Sequence, residues 1–228
     1  MEQNAISSMD ISRLLTFGCT AELLGPAALP YAHLDRNMKG LTEAQLEQEV
    51  VQLLKPNRVA HVLGCRDTAV ALAKRWGADP VDAARAALLH DITKALDGPL
   101  QLTLCQAHGV KLDDFYTKNT KTLHALTGSL VAQRIFGEND AVVSAIASHT
   151  TGKANMNLLE KIIYVADYIE PNRDFPGVEK LRDLAYTDID AALQLGLETT
   201  LELLRSQGKE ISVESQQALE YLKGRNVC

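Results

Sequence analysis

The chemistry available to this sequence lies in a set of histidines and aspartates. Leu88-Leu89-His90-Asp91 sets an imidazole and a carboxylate side by side at the end of an apolar, alanine-rich run. Burying an unpaired carboxylate costs several kcal/mol. A metal ion removes that cost, because it binds neutral imidazole and ionised carboxylate. Asp167 repeats the anomaly inside Ile162-Ile163-Tyr164-Val165-Ala166-Asp167-Tyr168-Ile169. A buried salt bridge to an arginine explains Asp167 as well as a metal does. His61 and His124, each taken alone, read as satisfied core histidines. His149 ends an apolar stretch just before the polar turn Thr150-Thr151-Gly152. The ordered set His61, His90-Asp91, His124, His149, Asp167 carries the argument. Four histidines and two aspartates exceed the needs of one tetrahedral zinc and suit two metals sharing a carboxylate. Lys94 follows Asp91 by three positions, on the same side of a helix if the helix continues. His33 and His108 lack this context.

These residues need several helices to bring them together. Thr42 followed by Gln45 predicts a capping box and a helix to about Leu54. Pro56 opens a helix through Trp76, and Asp79-Pro80 opens another to about Ala95. A helix from Pro99 ends near His108, and 113–120 reads as a connector. Further helices are expected from about Thr122 to Phe136, Asp140 to Ser148, Met156 to Glu170, Val178 to Leu184, Asp188 to Ser206 and Val213 to Lys223. Met9–Leu15 gives a short helix before the breakers Gly25, Pro26 and Pro30. No alternating strand pattern and no internal repeat occurs. The expectation is an all-α helical bundle over 43–228, with 1–42 as a peripheral N-terminal extension.

Composition narrows the classes. The 228 residues are 46% hydrophobic, which supports a sizeable core and argues against a disordered chain. Twenty-three basic against 29 acidic residues give a net charge of −6, which argues against general nucleic-acid binding. A phosphorylated small molecule remains compatible, since a bound metal reverses the local field. Cys19, Cys65, Cys105 and Cys228 form no CxxC pair and read as reduced thiols of a cytoplasmic protein. No apolar stretch reaches the ~20 residues of a membrane span. The stripe Ile189, Ala192, Leu193, Leu197, Leu201, Leu204 reads as core, although a homodimer is compatible with it.

The spacing His61…His90-Asp91…Asp167 resembles the HD-domain metal-dependent phosphohydrolases. The stretches RVAHVLG, AALLHDITKAL, HALTGSLVAQRIFG and the long run from Ala145 to Arg182 resemble the YqeK-type symmetrical bis(5′-nucleosyl)-tetraphosphatases within that superfamily. The resemblance covers about 45–205. It implies an HD-domain helical bundle and a two-metal site with His61, His90, Asp91, His124, His149 and Asp167 as ligands and Asp91 bridging. It also implies iron; bonding preferences alone admit Mn, Zn or Ni equally. His90-Asp91-Ile92-Thr93-Lys94 keeps the family's ligands and lysine while replacing two residues between them. Val62 stands where relatives often carry serine.

The implied reaction is symmetrical cleavage of diadenosine tetraphosphate and related dinucleoside polyphosphates to two ADP. Asp91 and Lys94 are the catalytic expectations. Lys94, Lys153, Arg173 and Arg182 are the cations available to a polyphosphate, with Thr150, Thr151 and Asn172 as neutral partners. Two alternatives compete with this reading. One is an HD-type phosphohydrolase acting on another nucleotide. The other is a nucleotide-binding regulatory module whose metal site is structural.

Overall fold

A computed structural model describes residues 6–31 and 38–225. The described residues contain no strand and build the all-α architecture expected from the sequence. The N-terminal part holds α1 (Ser8–Thr16), α2 (Ala21–Leu24), a 3-10 turn (Pro26–Tyr31) and α3 (Glu43–Leu53). The middle holds α4 (Pro56–Trp76), α5 (Pro80–Leu89), α6 (Gly98–Ala107), α7 (Asp114–Lys118), a 3-10 turn (Thr120–Thr122), α8 (Leu123–Val131) and α9 (Asp140–Ser148). The C-terminal part holds α10 (Leu158–Ile169), α11 (Val178–Thr187), α12 (Ile189–Ser206) and α13 (Val213–Arg225). No described helix is long and apolar enough to cross a membrane.

Helix α5 is the centre of the packing. Ala83, Ala84, Ala86, Ala87, Leu88 and Leu89 are all buried, so it is enclosed on nearly every side. Its alanines let α4, α9 and α10 approach closely. Asp79 caps it by accepting from the amides of Val81 and Asp82. Helix α10 is equally apolar and starts on a capping box: Asn157 accepts from the Glu160 amide, and Glu160 accepts in return from the Asn157 amide. The capping box predicted at Thr42 and Gln45 forms as well. Leu14, Phe17, Cys19 and Met38, from the segment before residue 43, are buried in the same hydrophobic cluster as α4, α5 and α10. His33 lies outside the described residues.

The stretch 113–120, expected as a connector, contains the short helix α7, and two predicted helices differ in extent. The helix opened by Pro80 ends at Leu89, and residues 90–95 continue as consecutive turns closed by i to i+3 bonds. The Thr93 carbonyl accepts from the Gln101 side chain, and the Thr93 hydroxyl donates to the His124 carbonyl. Tertiary bonds thus take the place of the helical ladder. The segment expected as one helix over 122–136 divides into α8 and a π-turn, Ala132–Phe136, before left-handed Gly137. The π-turn leads to Glu138, which accepts from both Nε and Nη2 of Arg85 on α5.

The end of α10 depends on Arg182 of α11. Its guanidinium donates to the carbonyls of Ile169, Glu170 and Arg173. The Ile169 carbonyl is one that a helix C-terminus leaves without an intrahelical partner, and the other two belong to the turn that follows. Arg182→Ala is expected to lower the unfolding free energy by roughly 2 kcal/mol. Urea denaturation measures this, and an unchanged midpoint would contradict the bracing role.

Candidate metal centre

Each site residue is placed by a helix or a helix end. His61 lies in α4, His90 is the C-cap of α5 and Asp91 follows it. His124 sits in the first turn of α8, His149 caps α9, and Asp167 lies near the end of α10. All four imidazoles and Asp91 are buried.

The ring orientations are fixed from behind. His90, His124 and His149 each donate Nδ1–H to the carbonyl three residues earlier: Ala87 at 2.6 Å, Lys121 at 2.8 Å and Ile146 at 2.7 Å. A carbonyl only accepts, so the proton belongs on Nδ1 and the Nε2 lone pair faces inward. His61 donates Nδ1–H to Glu170 Oε1 at 3.0 Å, which fixes the same tautomer. The inward nitrogens then face each other, His61 to His90 at 3.3 Å and His124 to His149 at 3.2 Å. Two lone pairs at that separation repel unless a cation lies near both.

Asp91 stands between these pairs. Its Oδ2 is 3.7 Å from His61 Nε2 and 3.5 Å from His90 Nε2. Its Oδ1 is 3.3 Å from His124 Nε2 and 3.8 Å from His149 Nε2. Asp167 Oδ1 joins the first pair, 3.0 Å from His61 Nε2 and 3.8 Å from His90 Nε2. Among the described residues, two groups have geometry able to hold a metal ion: His61, His90 and Asp167, and His90, Asp91 and His149, with donor atoms in each within 4.8 Å of one another. The donor chemistry fits divalent cations of the first transition row. Asp91 Oδ1 supplies an independent sign: it is buried and receives no hydrogen bond, although Lys94 Nζ is 3.1 Å away.

The electrostatics agree with that fit. Burial alone would raise the Asp91 and Asp167 carboxyls, but their surroundings hold both well below the usual carboxylate range. His90, His149 and Lys94 do this at Asp91; His61, His90 and Arg173 do it at Asp167. Burial, helped by His149 and Lys94, pushes His124 down to about 3. Burial also lowers His149, against the pull of Asp91. At His90 burial acts downward, yet the adjacent carboxylates outweigh it and raise the pKa. Ionised carboxylates and the neutral imidazoles of His124 and His149 are in the forms a metal binds, whereas His90, with its raised pKa, must give up any proton on Nε2 to ligate.

Of the substrate-binding candidates, the structure brings Lys94, Arg173 and Thr150 to the cluster. Arg173 donates from Nη2 to Asp167 Oδ1 at 2.6 Å. With His149, Asp167, Tyr164, Tyr168 and Phe175 it lines a cavity of about 490 Å³. Thr150 lines the same cavity. The other candidates are engaged elsewhere. Lys153 pairs with buried Glu160 at 2.7 Å and donates to Ser144. Thr151 is buried and bonds to backbone. Arg182 braces the end of α10, and Asn172 donates to Glu170 and to the Ala60 carbonyl. His108 is remote in its bonding, accepting from Arg134 and donating to the Phe17 carbonyl.

Two site residues escaped the sequence reading. Glu170 is buried, orients His61 and accepts from the Asn172 amide. Its signal was an acidic residue closing the apolar α10 just before Pro171. Arg58 reaches Asp91 Oδ2; its signal was a position one turn before His61 on α4. Gly64 makes room for Glu170, since a Cβ there would lie 2.6 Å from Glu170 Oε2.

The family-model match falls on this geometry. The HD domain model matches residues 58–172, half of the chain, and that span contains all six clustered residues. The chain belongs to the HD-domain family. Within it, the chain is homologous to symmetrical bis(5′-nucleosyl)-tetraphosphatases. It is 41% identical over 168 residues to the one from Halalkalibacterium halodurans, covering 72% of this chain and 89% of the relative. It is 39% identical over 165 residues to the one from Bacillus subtilis, covering 71% and 87%. A crystal structure from Clostridium acetobutylicum, described as a predicted HD superfamily hydrolase involved in NAD metabolism, superposes with a TM-score of 0.78 at 37% identity, covering 81% of this chain and 98% of that one.

Glu170→Ala is expected to weaken metal binding about 10–100-fold, read by competition with a chromophoric chelator. Unchanged affinity would contradict the positioning role. A pH prediction follows from His124. Unfolded, it takes a proton near pH 6.5; folded, it resists to about 3. The unfolded state therefore binds more protons across that window, so the metal-free protein should lose stability as pH falls through it. Urea midpoints at successive pH values check this, and a flat profile would oppose it.

Proposed function

We propose that this protein is a metal-dependent symmetrical bis(5′-nucleosyl)-tetraphosphatase. It hydrolyses diadenosine tetraphosphate and related dinucleoside polyphosphates at the central phosphoanhydride. Water adds to one β-phosphorus, the bridging oxygen leaves with the other half, and two ADP result, with two protons released when both new terminal phosphates are fully ionised. The observation that carries the reading is Asp91, whose two oxygens face two separate imidazole pairs, in a chain homologous to enzymes of that name over most of their length. When bound, two divalent cations supply charge that polarises a phosphoryl oxygen and acidifies an attacking water.

The chain's own residues do the rest. His61, His90 and Asp167 would hold one cation and His124 and His149 the other, with Asp91 available to both. The bonds to Ala87, Lys121, Ile146 and Glu170 keep the imidazoles in the ligating tautomer. Lys94, the cation nearest Asp91 Oδ1, offers charge to the phosphoryl group at the reacting centre. Arg173, held by Asp167, offers a planar donor to phosphate at the cavity wall. We take the metal to be iron, on the family resemblance, and the setting to be the cytoplasm, in keeping with the free thiols of Cys19, Cys65 and Cys105.

Product analysis tests the reading. The protein as purified should convert one diadenosine tetraphosphate to two ADP, and a strong chelator should stop it. AMP with ATP as products, or no cleavage of any dinucleoside polyphosphate, would overturn the assignment. Asp91→Asn should lower kcat about a thousandfold while the far-ultraviolet helical signal persists. Turnover close to that of the parent would refute its role.

A further inference from the structure

A symmetrical dinucleotide has two equal halves, and the cavity facing Asp167 and Arg173 accounts for one of them. A second cavity of about 410 Å³ adjoins it. Thr150 and Thr200 line both, so the two spaces are neighbours at these residues. The second cavity is walled by Phe115 and Lys118 of α7, by Lys121, and by Lys209 after α12. Its lining is tied to the metal centre through the chain: the Lys121 carbonyl accepts from His124 Nδ1, and Thr150 directly follows His149. His149 and Asp167 themselves line the first cavity.

The charge of the second cavity stands out in a chain of net charge −6. Lys118, Lys121 and Lys209 line it, and none of the three forms an ion pair with a described residue. Its carboxylate, Glu210, accepts from the Asn119 amide. Thr150 Oγ1, at the junction, is buried without a hydrogen-bond partner. Such a hydroxyl costs free energy until a ligand or water bonds to it. Cations, an unpaired hydroxyl and an aromatic face suit a diphosphate attached to a base.

We infer that the cavity lined by Lys118, Lys121, Lys209, Phe115 and Thr150 is a second nucleoside-diphosphate site, which holds the half of the dinucleotide that lies beyond the metal centre. The inference rests on the proposed activity for its substrate, but it can be tested without turnover. A protein with both sites binds both products. Calorimetric titration of the manganese(II)-loaded protein with ADP should give two ADP per chain. Lys118→Ala combined with Lys121→Ala should give one, with the affinity of the remaining site unchanged; the paired lysine-to-arginine variant should keep two. For diadenosine tetraphosphate, KM of the alanine variant should rise about tenfold or more, as expected for loss of charge-assisted contacts. One ADP in the parent, or two in the alanine variant, would overturn the second site. Failure of the enzymatic reading registers separately, as a parent protein that binds two ADP yet releases none from the dinucleotide; that outcome supports the site.

Discussion

A carboxylate excluded from water sits between two pairs of imidazoles, and much of the molecule is arranged around it. Asp91 has no exposed surface. Without cations, its neighbours would be lone pairs on one side and Arg58 and Lys94 on the other. Removing a charge from water is unfavourable by several kcal/mol unless strong partners replace the solvent. Two divalent ions would do so, and they would also relieve the facing nitrogens of His61 with His90 and His124 with His149. One arrangement would thereby settle two electrostatic conflicts inside an alanine- and leucine-rich bundle.

The fold meets this constraint by ending helices where ligands are needed. His90 and His149 are C-caps, and Asp167 lies in the last turn of α10. A helix end frees the side chain that follows from the 100° phase of the helix, so His90 and Asp91 can serve neighbouring cation positions. At the same ends, carbonyls lacking helical partners become available. Those of Ala87 and Ile146 accept from the very imidazoles they precede. Behind His61 the support is a buried carboxylate instead, and Gly64 leaves the space it occupies.

Much of this was readable from residue types. Apolar periodicity, the caps at Thr42 and Asp79 and the first-turn proline Pro56 located helices closely, because local chemistry decides them. The His and Asp set was visible because each member stood in an apolar setting that demanded a partner. The end of α5 was not visible, since Thr93 and Gln101 replace the helical bonds through contacts distant in sequence. Cations were the least legible class. Lys153, Arg173 and Arg182 look alike as letters, yet the first pairs with Glu160, the last supports three carbonyls, and only Arg173 reaches the cluster. A long charged side chain is positioned by its neighbours in space, and a sequence does not display them.

The central claim is that Asp91 joins two cation positions of different composition. Diffraction from crystals of the protein as purified, recorded at the absorption edge of its metal, tests it most directly. Two anomalous peaks are expected. One should lie at bonding distance, about 2.0–2.2 Å, from His61, His90, Asp167 and Asp91 Oδ2, and the other from His124, His149 and Asp91 Oδ1. A single peak, or none with Asp91 held by Arg58 alone, would contradict it.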